Sequence, residues 1–144
     1  MKKNNLTFLK PKKGDSLGQW LVEQRISAGF PSPADDFKDT RISLDRELVK
    51  NKEATFYARV SGESMKNAGI SDGDLIVIDR SLNPENNKIA VCFIEGDFTV
   101  KRIIKKEGEL YLKPENKNYK KIIIKEDDHF IIWGIVTYVI KCLK

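Results

Sequence analysis

From Ala54 onward, turn residues cut the chain into short runs of β-branched and aromatic residues, which limits what it can fold into more than any other feature. A-T-F-Y-A-R-V alternates, and L-I-V-I-D follows a D-G-D turn. K-I-A-V-C-F-I and F-T-V-K-R-I-I are joined by E-G-D, a hairpin signal. E-L-Y-L-K-P, K-I-I-I-K and W-G-I-V-T-Y-V-I bring the set to seven. The pattern predicts a mainly β protein whose residues 54–144 form one all-β domain, a coiled antiparallel sheet or partly open barrel.

Residues 1 to about 40 have a different texture. K-P-K-K-G is a basic run rich in breakers, and D-S-L-G-Q-W-L-V-E-Q-R-I then places Leu17, Trp20, Leu21 and Gln24 at helical spacing behind Asp15 or Ser16. That predicts one short helix, weakened by Gly18, and too little for a helix-turn-helix reader of DNA. In A-G-F-P-S-P-A-D-D-F, Pro31 and Pro33 hold Phe30 and Ser32 extended, so residues 29–53 read as a linker. R-I-S-L-D-R-E-L-V-K closes that linker as a short helix.

Composition excludes several classes. A chain of 144 residues, 40% hydrophobic and 33% charged, is long enough for one real core. The net charge of +5 is spread over K-K-N-N, K-P-K-K, K-R-I-I-K-K and K-N-Y-K-K, each too short to be a nucleic-acid stripe, so direct sequence-specific DNA binding is not expected. Two cysteines and one histidine cannot assemble a zinc site, and Cys92 and Cys142, both inside apolar runs, read as buried thiols in a reducing cytoplasm. The first ten residues hold no apolar stretch of signal-peptide length, and F-I-I-W-G-I-V-T-Y-V-I spans about half of what a membrane helix needs. The expectation is a cytoplasmic protein without a membrane partner.

The chemistry turns on S-G-E-S-M at residues 61–65. A free serine hydroxyl is a poor nucleophile without a base, and His129, the one histidine, lies in the charged run K-E-D-D-H-F. Gly62 to Lys66 is not G-x-S-x-G, and neither S-x-x-K, H-E-x-x-H nor a phosphate-binding glycine loop occurs. Asp72, Asp74 and Asp79 could suggest a cation site, but D-G-D is a turn signature and the spacing fits no calcium loop, so neither metal nor cofactor is expected. Two lysines could serve as base. Lys66 follows a turn beside Asn67 and Gly69, where it should be hydrated. Lys101 lies mid-strand with Thr99 and Ile103 on the same face, where burial would favour the neutral amine. Spacing alone leaves Ser64 either a turn serine or a nucleophile served by Lys101.

The combination S-G-E-S-M, then G-I-S-D-G-D-L-I-V-I-D-R-S, then G-D-F-T-V-K-R-I resembles the catalytic domain of the LexA/UmuD family of self-cleaving Ser-Lys peptidases, from about Ala28 to the end. The resemblance implies that family's fold, Ser64 as nucleophile, Lys101 as general base, and oxyanion donors among the backbone N–H groups of Glu63 and Ser64. It places the scissile bond at Ala28–Gly29, so that residues 1–28 are an arm removed by self-cleavage. With only 28 residues before that bond, the chain is more similar to the family's UmuD branch than to its repressors. That branch implies a homodimer, cleavage stimulated by a RecA filament on single-stranded DNA, and a truncated product that joins a UmuC-like translesion polymerase. A repressor or antirepressor relative of a mobile element and a non-catalytic polymerase-binding module are the alternatives.

Overall fold

The structure, a computed structural model, describes residues 6–11, 19–22 and 39–144. It divides into two compact units, residues 12–50 and residues 1–11 with 51–144.

The larger unit is a single eight-stranded antiparallel sheet. Its strands are β1 (Thr7–Leu9), β4 (Thr55–Arg59), β5 (Leu75–Asp79), β6 (Ile89–Ile94), β7 (Asp97–Lys106), β8 (Glu109–Lys113), β9 (Ile122–Ile123) and β10 (Phe130–Ile140). They lie in the order β1-β4-β5-β10-β6-β7-β8-β9, with the last strand inserted between β5 and β6. The seven expected strands are all present, although K-I-I-I-K supplies only two strand residues. The sheet has the coiled, half-barrel character that the sequence predicts, helped by register shifts in β10 at Ile132/Gly134 and Val136/Tyr138. The E-G turns before β7 and β8 carry positive φ at both central residues, as two-residue hairpin turns require.

Alternation along β6 and β7 feeds two buried clusters. Val91 and Val100 join Ala58, Val60, Met65, Ile70, Ile76 and Ile78, with Phe8, Phe98 and Trp133 packed against them. Ala90, Cys92 and Ile103 join Leu112 and Ile135. Lys101 is opposite Ala90 in the ladder and therefore shares the face of Cys92 and Ile103.

In the smaller unit, β2 (Gln19–Val22) pairs antiparallel with β3 (Asp39–Ile42), and α1 covers only Leu44–Leu48. The helix expected behind Asp15 is therefore corrected: residues 19–22 are a strand. Trp20 and Val22 favour extended backbone, Gly18 weakens a helix, and the ladder to β3 satisfies the backbone. The helix expected over R-I-S-L-D-R-E-L-V-K begins later, because Arg41 and Ile42 complete β3.

Two further differences concern the ends. Strand β1 has no counterpart in the sequence reading; it pairs Thr7, Phe8 and Leu9 with Arg59, Ala58 and Tyr57 at the sheet edge. Cys92 is buried as expected, but Cys142 is exposed, because the chain leaves the sheet after Ile140. Ala28–Gly29 and residues 29–38 of the expected linker lie outside the described residues. No helix among the described residues is long and apolar enough to cross a membrane.

Candidate active site

Ser64 sits on the turn that leaves β4 after Val60, and several bonds to other parts of the chain hold this turn. The Gly62 N–H donates to the Asp72 carboxylate at 2.8 Å. Val60 N–H donates to Asp74 O, and Gly73 N–H returns to Val60 O, each at 2.8 Å. Met65, buried in the core, accepts from Ala68 and Ile70 through its carbonyl. The D-G-D carboxylates thus have structural partners: Asp72 holds Gly62, while Asp74 accepts from Ser71 N–H and pairs with Lys141. Asp79 accepts from the backbone and hydroxyl of Ser81.

The two candidates that the sequence could not join by spacing meet here. Lys101 Nζ lies 2.9 Å from Ser64 Oγ, with Ser64 3% and Lys101 4% exposed. Nζ is also 2.6 Å from Thr99 Oγ1 and 3.1 Å from Val100 O. As an ammonium, Lys101 donates to all three oxygens. As a neutral amine it has two N–H bonds and one lone pair. Val100 O can only accept and Thr99 Oγ1 takes the second N–H, which leaves the lone pair for the Ser64 hydroxyl proton. The partner set therefore suits both protonation states, as a base that must cycle between them requires.

Burial sets the balance between those states. Desolvation by the surrounding core brings the Lys101 pKa from an ordinary 10.5 to about 8, and an interaction with Cys92 opposes it. The Cys92 thiol is itself pushed up to about 12 by burial. It is therefore neutral where Lys101 titrates, and desolvation outweighs its opposing effect on the lysine. Lys66, the other candidate base, is exposed in the short 3-10 turn Lys66–Ala68. His129 is exposed on the loop before β10.

Of the expected oxyanion donors, Ser64 belongs to a peptide unit whose carbonyl, Glu63 O, accepts from Lys66 N–H at 3.2 Å and from Asn116 Nδ2 at 2.7 Å. Sequence reasoning missed Asn116, because P-E-N-K-N reads only as a turn and its partner is 53 positions away. Leu6, just before β1, lines a narrow slot at Ser64 with Val60, Met65 and Val100, with free space of about 10 Å³.

A buried serine within hydrogen-bond distance of a buried lysine of lowered pKa is an arrangement in which a serine could be activated without histidine. The Peptidase S24-like family model matches residues 20–137. Protein MucA of Salmonella typhimurium is 42% identical over 116 residues, covering 80% of this chain and 79% of MucA. Protein ImpA of Shigella flexneri is 36% identical over 132 residues, covering 90% of this chain and 88% of ImpA. A LexA repressor of Clostridium kluyveri is 42% identical over 111 residues, which are 77% of this chain but 54% of the repressor. The chain belongs to the S24-like peptidases, the LexA/UmuD family of self-cleaving Ser-Lys peptidases.

Proposed function

We propose that the protein is a UmuD-like SOS mutagenesis factor that cuts itself at Ala28–Gly29, with Ser64 as nucleophile and Lys101 as general base. The observation that carries this reading is the 2.9 Å contact between two buried groups, one of them an amine of lowered pKa. Neutral Lys101 takes the Ser64 proton as Oγ attacks the Ala28 carbonyl carbon. The N–H groups of Glu63 and Ser64 receive the developing oxyanion. Lys101 then gives its proton to the departing Gly29 amine, and water, activated by the same lysine, releases residues 1–28 from the acyl-enzyme.

The small side chains of Ala28 and Gly29 would let a backbone approach a buried serine. The likeness to MucA and ImpA over most of their length supports the UmuD branch. On this reading the protein is a cytoplasmic homodimer, its cleavage is stimulated by RecA on single-stranded DNA, and the product from Gly29 onward joins a UmuC-like translesion polymerase. The domains are then the arm 1–28, the linker 29–53 and the peptidase domain 54–144.

The test is the intact mass of the purified chain after incubation at about pH 10, where Lys101 is neutral, beside Ser64→Ala and Lys101→Ala. A fragment beginning at Gly29 in the parent protein alone is the expected result. Its absence even with RecA filaments and nucleotide would leave Ser64 an ordinary turn serine.

A further inference from the structure

The loop that follows β8 lies against the turn bearing Ser64 through bonds that the chemistry above does not use. Asn116 Nδ2 donates to Glu63 O at 2.7 Å, and Asn67 N–H donates to Glu115 O at 2.8 Å. The loop is in turn fixed to β7: Arg102 Nε donates to the Glu115 carboxylate at 2.7 Å, and Arg102 Nη1 donates to Asn87 O at 2.6 Å. Arg102 is the neighbour of Lys101 on that strand, with its side chain on the opposite face. A line of hydrogen bonds thus runs from the strand that carries the base, through Arg102, Glu115 and Asn116, to the peptide unit that precedes the serine.

A peptide unit is planar, and in the trans form its C=O and N–H point in opposite directions. Holding the Glu63 carbonyl therefore fixes the direction of the Ser64 N–H, one of the two proposed oxyanion donors. We infer that Asn116 is a positioning residue for self-cleavage, aiming the Ser64 N–H through the Glu63 carbonyl. The inference rests on the Ser64–Lys101 reading above. Asn116 has two separable roles: its Oδ1 accepts from Asn118 N–H at 3.0 Å, which shapes the loop, while Nδ2 holds Glu63. Asn116→Asp keeps the acceptor and removes the donor. Asn116→Ala removes both without adding charge near Lys101.

The experiment follows self-cleavage of the full chain from about pH 6 to about pH 10 in the parent, both Asn116 variants, Ser64→Ala and Lys101→Ala, with thermal unfolding measured on each. Misplacing an oxyanion donor should lower the plateau rate by about 10- to 100-fold in both Asn116 variants. The midpoint of the Asn116→Ala pH profile should stay at the parent's, since the base is untouched. A plateau within about threefold of the parent's in either folded variant overturns the inference. So does an Asn116→Ala effect that moves the midpoint and spares the plateau, because the residue would then act through Lys101. Loss of cooperative unfolding in both variants overturns it too, by making the loop a folding element. Cleavage that persists in Ser64→Ala is a different failure: it removes the dyad, and the inference with it.

Discussion

The sharpest consequence of the geometry is the shape of the pH–rate curve for self-cleavage without any helper. On the proposed mechanism the reactive form is neutral Lys101, whose pKa burial lowers to about 8. About one molecule in ten then carries the neutral amine at pH 7 and about nine in ten at pH 9, so the rate should rise roughly tenfold over that interval and level off above it. A lysine left at its ordinary value would give roughly a hundredfold rise over the same interval and would still be climbing at pH 10. The free energy needed to present the base at pH 7 is about 1.4 kcal/mol for the buried lysine, against about 4–5 kcal/mol for a hydrated one. Cys92, held neutral until about pH 12, adds no second inflection. The assay is a time course of intact chain and fragments by mass spectrometry at constant ionic strength, with the initial rate taken at each pH. A curve flat from pH 7 to 10 would show that no lysine deprotonation limits the reaction. A slope that persists unbroken past pH 10 would refute the argument that burial tunes Lys101.

Three further outcomes follow from particular residues. Lys101→Met should stabilise the fold at neutral pH by about 1–3 kcal/mol, because folding now forces a charged amine out of water. With the folded pKa below the unfolded one, the parent gains stability as pH rises from about 8 to 10.5, so the advantage of the methionine should shrink over that window in thermal melts. Gly134→Ala should cost about 1–3 kcal/mol, since its Cβ would stand 2.6 Å from Ile78 Cγ2 and 3.2 Å from Arg80 Cγ at the bulge of β10; a melting temperature equal to the parent's would refute the overpacking. Gly29→Phe should abolish cleavage without changing the melting temperature, and normal processing of that variant would move the scissile bond elsewhere.

The sheet was legible because each core strand is a run of β-branched residues bounded by turn residues, as in L-I-V-I-D after D-G-D. Lys101 stood out because a lysine in mid-strand, sharing a face with Thr99 and Ile103, conflicts with burial, and the structure sets it beside Ser64. The elements that were misread or missed depend on partners distant in sequence. Leu17, Trp20, Leu21 and Gln24 fit a helical spacing, but four positions are too few to separate a helix turn from a strand, and the pairing with Asp39–Ile42 decides it. T-F-L is too short to signal a strand until the edge of β4 is beside it. Asn116 looks like any turn asparagine, because only the folded chain brings Glu63 to it.

Strand β1 has a consequence that follows from mass action. Its three residues are held by the ladder to β4 and by Phe8, whose ring meets Phe98 and Trp133 at 4.8 Å each, yet a separate unit of residues 12–50 intervenes before β4. While the chain is whole, that segment faces its slot at an effective concentration on the order of millimolar, and a weak pairing is enough to keep it seated. A break anywhere in the intervening stretch turns the same segment into a free ligand at the concentration of the protein itself. So short a strand then leaves on dilution, baring one row of backbone donors and acceptors beside an aromatic cleft. Scission would thus alter the sheet's outer border as well as the length of the chain.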